Sequence, residues 1–231
     1  MPTHAGRRHA RLAIASLTLF VLALGVWTGP TVAFHVLPFS LTGEDARLAS
    51  VLRIGQGSAV AEIGAGEGEL SAALARRVGP GARFYSTELS AERRREIQDR
   101  ANHEGLRNLV VVEAGETATG LPDGCCDAIV MRMVYHHIGD PARLNQSIRQ
   151  ALRPGGRLAI SDFRPSALFH TRPPASAAAV RTGHGVDPET VAGELRRAGF
   201  ELEHREDNWG GRLFLVVFRL AAPTLTDSGT A

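Results

Sequence analysis

Three closely spaced glycines are the first residues of this 231-residue sequence whose pattern points to chemistry. Gly64, Gly66 and Gly68 follow an apolar run of strand length and precede a helical pattern. Glycine lets the backbone turn sharply and lets a ligand approach without a Cβ atom in the way, while free N–H groups at a helix start face that ligand. The spacing therefore predicts a ligand-binding loop between a strand and a helix.

Acidic residues around this loop narrow the choice of ligand. Glu62 precedes the first glycine, and Glu88 ends the next predicted strand, about 20 residues further on, as in dinucleotide folds. A carboxylate at that second strand end can accept hydrogen bonds from both hydroxyls of a ribose. Glu62 and Glu67 would repel a pyrophosphate, whereas they favour a ligand that carries ammonium and sulfonium charges.

The residues that follow the fourth predicted strand are the candidates for catalysis. His136 or His137 could accept a proton, because an imidazole pKa lies near ~6.5, while Tyr135, with a pKa near ~10, suits hydrogen-bond donation. Packing over a cofactor is the alternative for the histidines. Asp162, at the end of the fifth strand, is a further candidate, although a cap or an ion pair with Arg164 is favoured. No metal site is predicted, because neighbouring residues seldom aim at one ion.

The elements that must position these residues alternate between strands and helices. Apolar runs of strand length occur at 59–63, 83–87, 109–112, 127–131, 157–161 and 213–220, and helical patterns occur at 44–53, 67–78, 90–104, 141–152 and 187–198. Gly and Pro residues, such as those at 154–156, separate them. This alternation predicts βαβ units and a largely parallel sheet covered on both faces. Ligands of such sheets bind over the carboxyl ends of the strands, where the candidate residues lie.

Composition excludes several kinds of function. All 26 basic residues are arginine, so chemistry that needs an ε-amine, such as a Schiff base or a P-loop lysine, is ruled out. A formal net charge of +2 is too balanced for a dedicated nucleic-acid binder. The adjacent Cys125 and Cys126 are expected to pack at the start of a strand, because a bond between neighbours requires a strained ring.

An uncharged apolar stretch at residues 12–34 follows Arg7, Arg8 and Arg11. The pattern predicts that residues 1–35 are a cleaved signal peptide or an apolar helix that anchors the protein in a membrane. The arginines favour an exported domain, and a domain that faces the cytoplasm is the alternative. Residues 36–58 are predicted to be a connection with a short amphipathic helix, 59–220 the ligand-binding domain, and 221–231 a flexible tail.

Six segments of the chain, in this order, resemble the motifs of the class I S-adenosylmethionine-dependent methyltransferases. They are residues 62–68, Glu88, Gly115 with Glu116, and residues 121–130, 152–158 and 195–200. The resemblance implies an α/β fold, a Rossmann-like doubly wound sheet of seven strands in the order 3-2-1-4-5-7-6 with the last strand antiparallel. It also implies S-adenosylmethionine as the cofactor, bound by Glu62, Gly64, Gly66, Gly68, Glu88, Gly115, Glu116 and Arg132.

The implied function is transfer of a methyl group from S-adenosylmethionine to a small-molecule acceptor by in-line displacement. An NAD-dependent oxidoreductase is one alternative. Its motif is Gly-x-Gly-x-x-Gly, whereas here the third glycine, Gly68, comes one residue too early. A membrane-tethered module that binds the cofactor without catalysis is the other alternative. The intact glycines and Glu88 argue against a decayed site.

Overall fold

The computed structural model describes residues 43–165 and 185–221. The predicted targeting segment at residues 1–35 lies outside these ranges, as does all but the first residue of the predicted tail at 221–231. Within the described ranges, no helix is both long enough and apolar enough to cross a membrane.

Helices and strands alternate through the described part of the chain. The helices are α1 (Glu44–Leu52), α2 (Glu69–Val78), α3 (Ala91–His103), α4 (Pro141–Ala151) and α5 (Pro188–Arg197). The strands are β1 (Val60–Ile63), β2 (Phe84–Glu88), β3 (Leu109–Glu113), β4 (Cys126–Arg132), β5 (Leu152–Phe163), β6 (Phe200–Trp209) and β7 (Leu213–Leu220). A single 3₁₀ turn, Tyr135–His137, follows β4. Each helix therefore lies where its pattern predicts one, with ends that differ by a residue or two.

These strands form one sheet in the order β3-β2-β1-β4-β5-β7-β6. β1 lies between β2 and β4 and is parallel to both, so that Glu62 is opposite Ser86 on one side and Val130 on the other. β7 runs antiparallel to β5 and to β6. The predicted Rossmann-like fold class is therefore confirmed, including the strand order and the antiparallel last strand.

β6 is the strand that the hydrophobic pattern does not predict. Half of its ten residues are charged, and only its first and last residues, Phe200 and Trp209, are buried. It lies at the edge of the sheet and pairs only with β7. Edge strands commonly carry charged side chains that discourage further pairing. The sequence of β6 therefore contains no apolar run because the strand lies at the edge of the sheet. The family resemblance alone implied a seventh strand.

The start of β4 and β5 also differs from the prediction. β5 begins at Leu152 and includes the Pro and Gly residues at 154–156 that were predicted to separate elements. The pairing is irregular there, with a register shift between Cys126 and Ala128. Cys125 and Cys126 are disulfide-bonded to each other, which corrects the expectation that they pack without bonding.

Apolar side chains on both faces of the sheet form the core. Every residue of β1 is buried, and Ile129, Leu158, Phe214 and Phe218 are fully inaccessible to solvent. Burial of such side chains is the main favourable contribution to folding. Because β1, β2, β4 and β5 are parallel, their carboxyl ends lie along one edge of the sheet. The loops that leave this edge carry the candidate site.

Candidate active site

The glycine loop connects β1 to α2 at this edge. Gly64, Gly66 and Gly68 have φ angles of 71°, 56° and 76°, in the left-handed region that favours glycine. The backbone N–H groups of Gly64 and Ala65 both donate to the carbonyl oxygen of Thr87, at 2.9 and 3.0 Å. The loop is thereby tied to the end of β2.

The three glycines are required for different reasons. A Cβ on Gly64 would lie 2.5 Å from a methyl carbon of Val134, and a Cβ on Gly68 would lie 3.1 Å from Ile97 on α3. A Cβ on Gly66 would meet nothing within 4 Å. Gly64 and Gly68 therefore permit close packing, whereas Gly66 leaves space open. Gly68 lines neither cavity described below, and its predicted contact with the cofactor has no support from its position.

Glu88 ends β2 beside the loop. Its Oε2 accepts a hydrogen bond from the backbone N–H of Gly66 at 3.0 Å, and its Oε1 accepts from Leu89 at 2.8 Å and Ser90 at 3.2 Å. These backbone donors fix the direction of the carboxylate. A negative group at the carboxyl end of the second strand is thus available for ribose hydroxyls, as its place in the sequence predicts.

A main cavity of about 620 Å³ opens next to Glu88. Its walls include Gly64, Glu88, Gly115, Glu116 and His137. These residues come from widely separated parts of the sequence. This volume is within the range typical of small-molecule sites. The cavity therefore brings together five residues that sequence reasoning placed in one site.

A second, charged cavity of about 340 Å³ lies along the glycine loop and shares Gly64 and Val134 with the first. Its lining includes Glu62, Gly66 and Arg132. Arg132, the last residue of β4, forms an ion pair at 3.1 Å with Glu44 of α1. The cavity therefore contains both negative and positive groups, close to the loop backbone.

Glu62 is buried at the floor of this charged cavity. Burial raises its pKa to about 7, against the opposing effects of a hydrogen bond from Ser71, at 2.6 Å, and of the positive charge on Arg132, while Glu44 contributes to the rise. Ser71 also lies 2.8 Å from the hydroxyl of Ser86. The carboxyl group is therefore held by the protein itself and carries a charge that depends on pH near neutrality.

The predicted catalytic residues separate in space. His137 lines the main cavity, while His136 is buried and its Nδ1 lies 2.8 Å from Asp162 Oδ1. Tyr135 is fully buried in the core, where its hydroxyl donates to Glu194 and accepts from Asn145. The structure does not place Tyr135 at either cavity, so its predicted catalytic role has no support from its position.

Asp162 does not form the predicted ion pair with Arg164, although it does accept backbone hydrogen bonds as a cap would. It is fully buried and accepts hydrogen bonds from the backbone N–H groups of His136, at 3.0 Å, and Phe163, at 2.8 Å. Arg164 instead pairs with Asp207 on β6. Asp162 is thus the partner of a histidine rather than of Arg164. In residues 43–165 and 185–221, no group of three His, Cys, Asp or Glu side chains could hold a metal ion.

Comparison with known proteins accounts for this arrangement. Residues 61–160 match the family model described as a methyltransferase domain. The matched stretch therefore resembles a methyltransferase domain, as the six sequence motifs predict. This similarity supports S-adenosylmethionine as the cofactor, and the NAD-dependent alternative finds no support among the relatives.

Two relatives and one solved structure illustrate the similarity. The chain is 27% identical over 105 residues to the ubiquinone/menaquinone biosynthesis C-methyltransferase of Pectobacterium carotovorum, with 45% of this chain and 42% of that protein covered. It is 29% identical over 193 residues to 27-O-demethylrifamycin SV methyltransferase of Amycolatopsis mediterranei, with 79% and 67% covered. A SAM-dependent methyltransferase from Aquifex aeolicus superposes with a TM-score of 0.66 at 22% identity, with 77% and 89% covered. The match to the Pectobacterium enzyme thus spans less than half of that protein.

The residues of the two cavities suit this cofactor. Gly66 leaves open the space that a Cβ would fill, beside Glu88 and the charged cavity. We expect Glu88 and Glu116 to hold the adenosine part and the glycine loop to hold the methionine part. The two cavities together thus offer a carboxylate, open space and a cation.

Some residues of the site gave no signal in the sequence. Val134 forms the wall against Gly64 and lines both cavities, yet it is one apolar residue among many. Met133 lines the charged cavity with φ at 54°, a left-handed conformation uncommon for a residue with a side chain. Glu44 lies far from every motif. Contacts of this kind depend on the packing of separate elements and no spacing rule predicts them.

Substitution of Gly66 by alanine should weaken cofactor binding without unfolding the domain. The new Cβ would occupy the open space of the cavity, so we expect the affinity for S-adenosylhomocysteine, measured by calorimetry, to fall by about tenfold or more. Gly124→Ala is the matched control, because Gly124 has φ of 58° and an equally open Cβ position but lines neither cavity. Equal affinities in the two variants would show that the loop is not the binding site.

Replacement of Glu62 by glutamine should change how stability depends on pH. Because the folded pKa, about 7, lies above the ordinary value of 4.5, the contribution of Glu62 is fully present below about pH 4.5 and is lost as pH rises through 7. Between pH 5 and pH 8, the wild type should lose about 2 to 3 kcal/mol of unfolding free energy that Glu62→Gln retains.

Urea unfolding at a series of pH values measures this difference. Glu67→Gln is the control. It also removes a carboxylate from the glycine loop, but the side chain of Glu67 is exposed. Parallel curves for the wild type and Glu62→Gln would contradict the prediction.

Proposed function

We propose that the protein transfers a methyl group from S-adenosylmethionine to a small molecule whose attacking atom must lose a proton, such as a phenolic or quinol hydroxyl. The observation that carries this proposal is the buried pair of His136 and Asp162, which lies directly behind His137 at the wall of the main cavity. When bound, S-adenosylmethionine supplies a methyl group on a sulfonium, an activated leaving group that needs no acid.

The proton on His136 has a defined position. Both oxygens of Asp162 already accept backbone N–H groups, from His136 and Phe163, so the contact to Nδ1 is made with Nδ1–H as the donor. The His136 ring packs 4.4 Å from the ring of Phe163 and 3.8 Å from that of His137, measured between centroids. Asp162 therefore fixes the His136 ring, and that ring in turn supports His137.

His137 has the properties of a base at the wall of the main cavity. It lines the cavity, and desolvation, aided by the neighbouring His136, lowers its pKa below the ordinary 6.5, while Asp162 acts in the opposite direction. The imidazole is therefore neutral at pH 7 and able to take a proton. Proton transfer by a positioned side chain contributes typically about 10²- to 10⁴-fold to a rate.

Positioning by the remaining residues supports the same function. The glycine loop and Glu88 are linked by the hydrogen bond from Gly66 to Glu88, so the two parts of the cofactor site keep a fixed relation. Well-oriented reactants can gain on the order of 7 to 11 kcal/mol in activation free energy. The names of two relatives, for ubiquinone/menaquinone biosynthesis and for 27-O-demethylrifamycin SV, agree with a small-molecule acceptor.

Variants of the histidines and of Asp162 test this proposal. With radiolabelled S-adenosylmethionine and a panel of small phenols and quinols, His137→Ala should lower kcat by about 10²- to 10⁴-fold while the affinity for S-adenosylhomocysteine stays the same. Asp162→Asn should lower kcat less. In the wild type, kcat should rise with pH through the lowered pKa of His137, and His137→Ala should lose that rise.

His204→Ala is the matched control, because His204 is exposed on β6 and lines neither cavity. An unchanged kcat in His137→Ala would refute the role of this histidine. Transfer of label to none of the hydroxyl compounds, by a protein that binds S-adenosylhomocysteine, would contradict the proposed class of acceptor.

We also propose that residues 12–34 attach the protein to a membrane. Support comes from the sequence, in which an uncharged apolar stretch follows Arg7, Arg8 and Arg11. A membrane location would suit an apolar acceptor, because such a molecule is concentrated in lipid.

A carbonate wash of membranes tests the attachment. The full-length chain should stay in the pellet with a mass that begins at Met1, while a variant that begins at residue 36 should stay in the supernatant and bind S-adenosylhomocysteine equally well. A full-length chain in the supernatant, or a mature protein that lacks the apolar stretch, would overturn the proposal.

A further inference from the structure

The charged cavity contains Arg132, whose side chain makes no hydrogen bond to any residue in the ranges 43–165 and 185–221. We propose that Arg132 binds the carboxylate of the cofactor's methionine part, and that Glu44 and Trp209 hold Arg132 in position for it. This inference rests on the proposed use of S-adenosylmethionine. It adds two residues from outside the family motifs to the site, one on α1 and one at the end of β6.

Arg132 is placed for an anionic ligand. It ends β4, next to the glycine loop, because β4 pairs with β1 up to Ile63 opposite Met131. Its side chain is 20% exposed and lines the charged cavity. In the part of the chain that the structure describes, Glu44 is its one ion-pair partner, with Oε2 3.1 Å from Nε. The buried Nε makes no hydrogen bond there, so the pairing with Glu44 leaves the donors of Arg132 unused. A half-buried guanidinium with free donors matches a carboxylate.

Glu44 is held from the opposite side by Trp209. The Glu44 carboxylate is 5% exposed, and its Oε1 accepts the indole N–H of Trp209 at 3.1 Å, while its Oε2 contacts Arg132. Trp209 is buried, and the guanidinium of Arg47 lies 3.9 Å over its ring. Three elements, α1, β4 and β6, thus fix one arginine side chain, although no motif connects them.

The other charges of the cavity make Arg132 the available cation. Glu62, Glu67 and Glu69 are negative or titratable and suit the ammonium group of the ligand rather than its carboxylate. Arg93, the second arginine of the lining, already pairs with Glu67 and Glu96. A zwitterionic amino-acid group needs a partner for each of its charges, and Arg132 is positioned to serve the carboxylate.

A purely structural ion pair is the competing interpretation. Buried ion pairs are often no more stabilising than apolar replacements, so Arg132 and Glu44 could simply tie α1 to the sheet. The two interpretations differ in one measurable respect. A structural pair affects all ligands alike, whereas a carboxylate-binding arginine affects only ligands that have the carboxylate.

Calorimetric titration with two ligands separates these interpretations. S-adenosylhomocysteine has the amino-acid carboxylate, and 5′-methylthioadenosine lacks the whole amino-acid group. In Arg132→Met, we expect the affinity for S-adenosylhomocysteine to fall by about 10- to 100-fold, as for loss of a hydrogen-bonded charged pair, and that for 5′-methylthioadenosine to change less than about twofold. Arg132→Lys should recover part of the loss, because it keeps the charge without the planar fork.

The positioning residues have their own variants. Glu44→Gln removes the charge and keeps the shape, and Trp209→Phe removes the N–H donor and keeps a ring. Each should lower the affinity for S-adenosylhomocysteine by about three- to tenfold, and each should leave 5′-methylthioadenosine unaffected. Arg157→Met is the matched control: Arg157 is 16% exposed, pairs with Glu203 and lines neither cavity, so both affinities should equal those of the wild type.

The outcomes distinguish the two proposals. Equal losses for both ligands in Arg132→Met and Arg132→Lys, or no loss for either, would overturn this inference and leave the proposed function standing. A wild-type protein that binds neither ligand would overturn the proposed function and the inference with it. Circular dichroism shows whether Arg132→Met folds. If it does not, Glu44→Gln and Trp209→Phe test the inference. It would be overturned if both variants bound S-adenosylhomocysteine and 5′-methylthioadenosine with the same affinities as the wild type.

Discussion

The parallel pairing of β1 with both β2 and β4 is the contact on which the site depends. All four residues of β1 are buried, and the register sets the ends of the three strands side by side. The loop that follows β1 can then approach both neighbours, with Gly64 against Val134 and Gly66 hydrogen-bonded to Glu88. A shift of one residue in this pairing would turn every side chain to the other face and separate these groups. The position of the cofactor site is therefore a consequence of strand register.

Several polar and charged groups are buried at this edge of the sheet. Burial of a polar or charged group costs free energy unless it is hydrogen-bonded or paired. Glu62 is satisfied by Ser71, Asp162 by His136, and Glu44 by Trp209. These pairs lie at the strand ends, beside the two cavities. Glu62 and His137, whose pKa values are shifted, lie in the same region. Sites of this kind hold charge in fixed directions, which is what the binding of a charged ligand requires.

Much of this arrangement could be predicted because its signals are local. Gly64, Gly66 and Glu88 could be assigned from their place after apolar runs, since a strand end and a tight turn leave a pattern in neighbouring residues. For Gly68 and Tyr135 the predicted roles find no support from position: Gly68 lies close to Ile97 and Tyr135 is buried in the core. Local spacing indicates which loop a residue occupies, but it does not indicate which residues of other elements will pack against it.

The sequence by itself determined the alternation of strands and helices, the ligand-binding loop and the absence of lysine chemistry, because these follow from periodicity and composition. Only the tertiary structure decided the partners of the buried charges. Asp162 meets His136 across 26 positions, and Trp209 meets Glu44 across 165. Pairs so far apart in the chain are brought together by sheet order and helix packing, which satisfy each buried polar group with whatever the fold places beside it. The sequence does not reveal these partners because a buried charged group needs a hydrogen-bond partner wherever the fold provides one, and that partner need not be near in sequence.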